Sequence, residues 1–257
     1  MGLSIANALQ HRLLHLAMAQ PYRLIIAAQK FPSDIYSKGT EAQQIRDSDR
    51  ELTANYASMW AGAHVRPIPA SSPQLKREAA WLRTTATHFG TLVEKKSNES
   101  GISKVRGIEF LEAPSEEYAQ QTKEKFEQET GLGGYRAWRR EEMPEGIELG
   151  FEYETYCVNP VVYCSWLMKK FQDRGGTRAP GQLLSIKQAF SLVDDVRCVI
   201  NASGTGFNDP KSYYIRGEFL PSIFSQRRPL LKRWASSNRS NSNHRFHSSD
   251  ENSNETE

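Results

Sequence analysis

The chain has 257 residues, a formal net charge of +3 and 25% charged residues. This length allows one large domain or two modest ones, and the small net charge says little about partners. The three cysteines, Cys157, Cys164 and Cys198, include no Cys-x-x-Cys pair, which argues against a disulfide framework or a zinc site. No apolar run approaches the ~18–20 residues that a membrane-spanning helix needs. We therefore expect no metal and no membrane partner.

Several segments repeat apolar residues at helical spacing, and shorter segments have the composition of strands. In chain order, the predicted elements are a helix over 2–19, a strand at 24–28, a long polar loop over 32–55, a helix over 73–93, a strand at 105–112, a charged helix at about 115–129, a strand at 147–153, a helix over 159–173, and strands at 182–186 and 196–202. The uniformly apolar run at 24–28 suits a strand buried on both faces, as in a parallel sheet, and 196–202 is a second candidate for a buried strand. Gly175 is the expected C-cap glycine of the helix that ends near 173.

The composition changes at Phe219. A short basic stretch at 227–233 is followed by a Ser- and Asn-rich segment and an acidic end, and no apolar periodicity persists. We predict that 219–257 is a disordered tail. A basic cluster of this kind can be a nuclear signal or a nucleic-acid patch, but it is short and no folded basic face accompanies it. We therefore expect no nucleic-acid partner.

Two features near the N-terminus have the layout of a dinucleotide-binding unit. In that unit a glycine fingerprint lies between the first strand and the first helix, and its last glycine lets the two pack closely. Gly2 falls where that last glycine would lie, although a plain N-terminal helix accounts for it as well. The following strand leads into Gln29, where such folds usually carry an acidic residue for the ribose hydroxyls. Gln29 is neutral but can still donate and accept hydrogen bonds.

Two further segments combine an apolar run with small residues. In Trp60-Ala61-Gly62-Ala63-His64, backbone N–H groups could approach a flat or anionic ligand, because no large side chain blocks them. A tight turn packed under the tryptophan is the alternative. The segment 199–206 (Val-Ile-Asn-Ala-Ser-Gly-Thr-Gly) would end a buried strand in small and hydroxyl residues, as at a cofactor edge. A simple exit from strand to loop is the alternative there.

The order of these motifs resembles that of the fungal D-amino-acid oxidases. Tyr-Ala-Ser-Met-Trp-Ala-Gly-Ala-His at 56–64 is similar to the family pattern Ala-Ser-Pro-Trp-Ala-Gly-Ala-Asn. Ile-Asn-Ala-Ser-Gly at 200–204 resembles Val-Asn-Ala-Thr-Gly, and Ile-Arg-Gly-Glu at 215–218 resembles Ile-Arg-Gly-Gln. The segment 28–34 looks like the one that this family carries upstream, and 159–175 is similar to the helix before its third sheet strand. The resemblance spans about 2–218.

This resemblance implies an α/β fold, in which 1–218 holds an incomplete Rossmann-like FAD-binding parallel sheet and part of a mostly antiparallel substrate domain. It implies FAD as the cofactor and a D-amino acid as the small-molecule substrate. Hydride passes from the substrate α-carbon to flavin N5, the imino acid is hydrolysed, and oxygen reoxidises the flavin to give hydrogen peroxide. Carried over position by position, the cofactor-binding residues are Gln29 and Lys30 near the adenosine ribose, Ser58, Ala61, Gly62 and Ala63 along the pyrophosphate and flavin, Leu183 beside the adenine, and Ser203 with Gly204 at the second strand end.

The chain also departs from the family pattern. Met59 stands where the family often has proline, and Glu218 replaces a glutamine. The family's substrate-binding tyrosines, carboxylate-clamping arginine and last flavin-binding glycine segment follow the Arg-Gly-Gln motif, where this chain has its tail. We therefore assign no catalytic residue and expect a chain truncated at both ends.

Two functions are consistent with the sequence. One is oxidative deamination of D-amino acids to 2-oxo acids with ammonia and hydrogen peroxide, and the other is a catalytically inactive flavin-binding or partner-binding remnant. A cytoplasmic or peroxisomal location fits the family, although the peroxisomal Ser-Lys-Leu type of tripeptide does not end this chain. The oligomeric state stays open.

Overall fold

In a computed structural model of the protein, the described residues are 2–15, 22–35, 58, 64–204 and 206–208. They lie within one compact unit, Met1–Ser212, which holds a two-stranded parallel sheet and a three-stranded antiparallel sheet. The elements are α1 (Gly2–His15), β1 (Ile25–Ala28), α2 (Pro32–Ile35), α3 (Pro73–Ser100), β2 (Ile102–Leu111), α4 (Glu116–Ala119), α5 (Lys123–Thr130), β3 (Arg136–Ala137), β4 (Leu149–Val158), α6 (Pro160–Asp173), β5 (Thr177–Pro180) and α7 (Ile186–Ala189), with 3-10 turns at Arg140–Glu142 and Gly206–Asn208. The predicted α/β class, with one parallel and one antiparallel sheet, is confirmed.

The parallel sheet pairs β1 with β5, from Ile25 opposite Thr177 to Ala28 opposite Pro180. Helices α1 and α6 pack together beside it, and their shared core cluster includes the buried side chains of Ala6, Phe31, Met168 and Phe171.

A glycine pair ends α6 and directs the chain into β5. Gly175 has a left-handed φ of 83°. Its N–H donates to the carbonyl of Gln172 (2.9 Å), and the N–H of Gly176 donates to the carbonyl of Phe171 (2.9 Å). This is the Schellman arrangement, which satisfies carbonyls that the helix end would leave unpaired. The predicted role of Gly175 is therefore confirmed.

The antiparallel sheet is built around β4. β2 pairs with β4 over its whole length, from Ile102 opposite Val158 to Leu111 opposite Leu149. The other edge of β4 pairs with β3 at one end and with His64 and Val65 at the other. Because side chains alternate between the faces of a strand, one face carries the aromatic core. That core consists of Ala86, Phe126, Leu132, Tyr135, Phe151 and Tyr153.

The long helix α3 contacts the core of the antiparallel part and a second apolar cluster. Ser72 caps its start by accepting a hydrogen bond from the N–H of Leu75 (3.1 Å), and Gly101 ends it in the left-handed conformation. Ala86 packs in the antiparallel core, whereas Phe89 packs in a cluster with Leu92 and Ile102.

Several predicted boundaries change in the structure. α1 is described only to His15, and α3 extends to Ser100 because Gly101, not the end of the apolar pattern, stops it. The charged helix predicted at 115–129 is two helices, α4 and α5, each with its own N-cap residue, Ser115 and Thr122. Within the loop predicted over 32–55, Pro32–Ile35 is a helical turn.

Two strand predictions are wrong. The strand predicted at 182–186 lies instead at 177–180, since the chain pairs with β1 as soon as it leaves α6. The segment 196–202 is irregular, and the Ile200 side chain is 52% exposed. Its apolar residues therefore do not enter a sheet among the described residues. Some predictions fall outside the described residues, namely those on Ala61, Gly62, Ala63 and the tail 219–257. Within the described part of the chain, no helix is long and apolar enough to cross a membrane.

Candidate cofactor-binding edge

The direction of α1 and α6 fixes which end of the parallel sheet can bind a ligand. The side-chain amide of Asn7 donates to the carbonyl of Leu167 (3.0 Å), and that of Gln10 donates to the carbonyl of Phe171 (2.9 Å). Residue numbers rise together along both helices, so the two helices run in the same direction. Because α6 leads directly into the start of β5, both helices begin at the opposite, carboxyl edge of the sheet. Ligands of open α/β sheets bind outside this edge.

The predicted ribose and adenine residues lie at the carboxyl edge. Gln29 and Lys30 directly follow β1; Gln29 is exposed and Lys30 is half-buried. Leu183 follows β5 and is half-buried. The two strand ends are joined beyond the sheet, since the N–H of Gly181 donates to the carbonyl of Ala28 (3.1 Å). The structure thus places the residues predicted from two separate motifs at one edge.

The segment 201–204 reaches the same edge as a loop, although the strand predicted before it is absent. A Cβ atom added to Gly2 would lie 3.5 Å from Cβ of Ala202, so this loop passes beside the first residue of α1. The N–H and Oγ of Ser203 both donate to Oδ1 of Asn201 (3.1 and 2.6 Å). Ser203 and the next residue, Gly204, are exposed. The loop therefore presents small polar residues next to the start of a helix.

Ser58 and His64 are the two described residues of the motif at 56–64. Ser58 is hydrogen-bonded to the thiol of Cys164 in α6, and burial raises the pKa of that thiol. His64 forms a β-bridge with Cys157 in β4. The motif is thus held to α6 at one end and to the antiparallel sheet at the other, while the structure does not test Ala61, Gly62 and Ala63.

A polar cluster beside this motif was not anticipated from the sequence. Arg66 donates to both carboxylate oxygens of Glu109, through Nε at 2.9 Å and a terminal nitrogen at 2.8 Å. The hydroxyl of Tyr153 donates to the same carboxylate at 3.0 Å. Burial, followed by the charge of Glu109, raises the pKa of Tyr153. The three residues come from separate segments, so no local pattern could reveal their meeting; alternation in β2 shows only that Glu109 shares a face with Gly107.

The residues at the carboxyl edge could hold the phosphate and ribose groups of a nucleotide. α1 has no acidic residue in its first turn, and the first N–H groups of a helix have no partners within the helix, which favours an anion such as a pyrophosphate. Gly2 leaves room for close approach, and the Gln29 amide can bind ribose hydroxyls without a carboxylate. Across the described ranges, no group of His, Cys, Asp and Glu could hold a metal ion.

Comparison with known proteins adds two curated relatives, while no protein-family model matches the chain. The chain is 36% identical over 221 residues to a D-aspartate oxidase of Talaromyces thermophilus, an alignment that covers 84% of the chain and 57% of that protein. It is 26% identical over 179 residues to a D-amino-acid oxidase of Rubrobacter xylanophilus, which covers 67% of the chain and 48% of that protein. The chain thus spans about half the length of the curated relatives it matches.

Proposed function

Because this chain belongs to the D-amino-acid oxidase family, we propose that it binds FAD and takes part in the oxidative deamination of D-amino acids. The observation that carries the proposal is 36% identity across 84% of the chain to a protein named as a D-aspartate oxidase. For that reason the substrate class that we propose includes acidic D-amino acids. Both relatives are named as oxidases, which does not favour the inactive-remnant alternative.

The proposed cofactor site is the carboxyl edge of the parallel sheet. Gln29 and Lys30 bind the adenosine ribose, Leu183 lies beside the adenine, and Ser203 with Gly204 contacts the cofactor near the start of α1. Their common position at this edge supports the assignment. Ser58, Ala61, Gly62 and Ala63 complete the proposed site, on the resemblance of the motif at 56–64.

Each element of this edge has a defined task in the proposal. When bound, FAD supplies the acceptor for the hydride that leaves the substrate α-carbon. The chain's own residues bind and orient it: the N–H groups that begin α1 offset the pyrophosphate charge, and the Leu183 side chain removes apolar surface of the adenine from water. The residues of this chain would therefore bind and orient the cofactor. None of them is given a proton-transferring role, because hydride transfer requires no strong base.

The test is a visible spectrum of the purified chain with FAD, followed by a hydrogen peroxide assay. We expect oxidised-flavin bands that stay with the protein through gel filtration, and peroxide with one or more of D-aspartate, D-glutamate and D-alanine. Bound flavin without peroxide from any D-amino acid would favour the inactive alternative. A folded chain that retains no flavin would contradict the proposal.

The compartment that we propose is the cytoplasm or the peroxisome, which fluorescence microscopy of the tagged chain would test.

A further inference from the structure

We infer that Glu109 is a positioning residue for flavin binding, which acts by fixing His64–Arg66 to the antiparallel sheet through Tyr153 and Arg66. This inference rests on the proposed function, because the residues concerned contact the end of the proposed flavin-contacting motif at 56–64. They do not contact the cofactor themselves. Glu109 lies in β2 and Tyr153 in β4. The link therefore runs from the sheet to the end of the proposed flavin-contacting segment.

The first step is the strength of the Glu109 contacts. Glu109 accepts two hydrogen bonds from the Arg66 guanidinium and one from the Tyr153 hydroxyl. The Glu109 side chain is 12% exposed, and Tyr153 is 1% exposed. Charge-assisted, two-point contacts of this kind fix orientation as well as distance. In addition, loss of the carboxylate would leave the Tyr153 hydroxyl without this acceptor in a buried position.

The second step connects the cluster to His64. The imidazole of His64 stacks on the Tyr153 ring, with centroids 6.2 Å apart and planes inclined by 20°. Gly107 makes room for both rings, since a Cβ atom there would lie 2.8 Å from Cζ of Tyr153 and 3.1 Å from Nε2 of His64. Tyr153 is therefore bound to Glu109 at its hydroxyl and to His64 at its face.

The third step is the backbone of the same segment. The N–H of Val65 donates to the carbonyl of Tyr156 (2.9 Å), and the hydroxyl of Thr155 donates to the carbonyl of Val65 (2.7 Å). At the other described position of the motif, the side chain of Ser58 is hydrogen-bonded to the thiol of Cys164. Ser58 and His64, the two described residues of this motif, are thus each attached to regular structure, and a shift at His64 acts on one of the two points that hold the proposed flavin-contacting segment.

These contacts predict a specific consequence of losing the carboxylate. Glu109→Gln keeps the size of the side chain but cannot accept two bonds from Arg66 and one from Tyr153 as a carboxylate does. His64–Arg66 would then be held less firmly, and the flavin-contacting motif would spend part of its time out of position. The apparent affinity for FAD equals the affinity of the competent arrangement multiplied by the fraction of molecules in that arrangement.

The test compares Glu109→Gln with Glu154→Gln in the full chain. Glu154 provides a matched control, because its carboxylate forms an ion pair with Lys104 at 2.8 Å on an exposed part of the same sheet. The measurements are the FAD dissociation constant by fluorescence titration and the exchange rate of the Val65 amide by hydrogen–deuterium exchange without FAD. Arg66→Met and the double variant Arg66→Met/Glu109→Gln complete a double-mutant cycle.

We expect Glu109→Gln to weaken FAD binding about fivefold or more, as coupling energies of this size predict, and Glu154→Gln to change it less than about twofold. The Val65 amide should exchange faster in Glu109→Gln than in wild type or Glu154→Gln. Because Arg66 and Glu109 share one contact, the loss of FAD affinity in the double variant should be smaller than the sum of the two single losses, and a strictly additive loss would contradict the coupling. If the wild type binds FAD and Glu109→Gln binds it equally well, the inference is wrong while the proposed function stands. If Glu109→Gln weakens binding with unchanged Val65 exchange, the positioning role is also wrong. A wild-type chain that fails to bind FAD would overturn the proposed function itself.

Discussion

Substitution of Gly107 by alanine tests whether Tyr153 and His64 are packed as closely as the structure shows. The added Cβ would lie 2.8 Å from Cζ of the Tyr153 ring, 3.0 Å from its Cε2 and 3.1 Å from Nε2 of His64. Tyr153 is 1% exposed, so its ring cannot move aside into solvent. Overpacking of this kind costs about 1–3 kcal/mol, and the smaller unfolded-state entropy of alanine offsets about 0.4–1 kcal/mol. We therefore expect a net loss of up to about 2.6 kcal/mol, and a loss of about 1–3 kcal/mol relative to a glycine-to-alanine change without overpacking.

The assay is urea unfolding followed by tryptophan fluorescence, with Gly133→Ala as the control. At Gly133 the nearest heavy atom to an added Cβ is 3.7 Å away, an ordinary van der Waals distance. We expect Gly133→Ala to leave the free energy of unfolding unchanged or to raise it slightly, because only the unfolded-state term of about 0.4–1 kcal/mol applies. If Gly107→Ala proved as stable as Gly133→Ala, the packing of Tyr153 over β2 would be wrong.

Three further predictions concern stability. Hydrogen bonding from Arg136 lowers the pKa of Glu152 from its ordinary value of 4.5. The Glu152 carboxylate therefore stabilises the fold fully above that pH, and this stabilisation is lost as the pH falls through the lowered pKa. Glu152→Gln should show a shallower loss of stability below pH 4.5 in acid titrations followed by circular dichroism. Asn159 caps α6 by accepting a hydrogen bond from its first turn, so Asn159→Ala should cost about 0.5–2 kcal/mol in urea unfolding, whereas Ser115→Ala should cost little because that side chain makes no cap hydrogen bond; equal losses would contradict the capping argument. Phe126 is 1% exposed in the aromatic core, so Phe126→Ala should lower the free energy of unfolding in urea by about 3–5 kcal/mol. A loss below about 1 kcal/mol would mean that the core is assembled differently.

The sequence predicted elements well where local chemistry determines them. Leu24–Ala28 is uniformly apolar and contains β1, and Gly175 ends α6 in a Schellman motif. Each of these depends on residues within a few positions of one another. Such features are specified by the backbone preferences and hydrogen-bonding capacity of the residues themselves.

Two strand positions that depend on a distant partner were predicted wrongly. β5 has the sequence Thr-Arg-Ala-Pro, which carries no apolar run, and it forms because the turn after α6 brings Thr177 beside Ile25. The opposite error occurred at 196–202, where the segment forms no strand and Ile200 stays exposed. A short apolar run shows that a segment could be buried, but a sheet position also requires a neighbouring strand.

The candidate site divides in the same way. Sequence motifs pointed to Gln29, Leu183 and Ser203 separately, and the parallel pairing of β1 with β5 explains why the first two meet at one edge. The cluster of Glu109, Arg66 and Tyr153 had no local sign, because its members come from separate segments and meet through side-chain hydrogen bonds.

The central claim is that the carboxyl edge of the parallel sheet binds FAD, and a matched pair of neighbouring leucines tests it most directly. Leu183 is half-buried at the proposed adenine position, whereas Leu184 is 76% exposed. The measurement is a fluorescence titration of FAD into wild type, Leu183→Ser and Leu184→Ser. We expect saturable binding to wild type, binding to Leu183→Ser that is about tenfold weaker because apolar contact is lost, and unchanged binding to Leu184→Ser. Equal affinities in all three proteins, or no saturation with wild type, would contradict this placement of the cofactor.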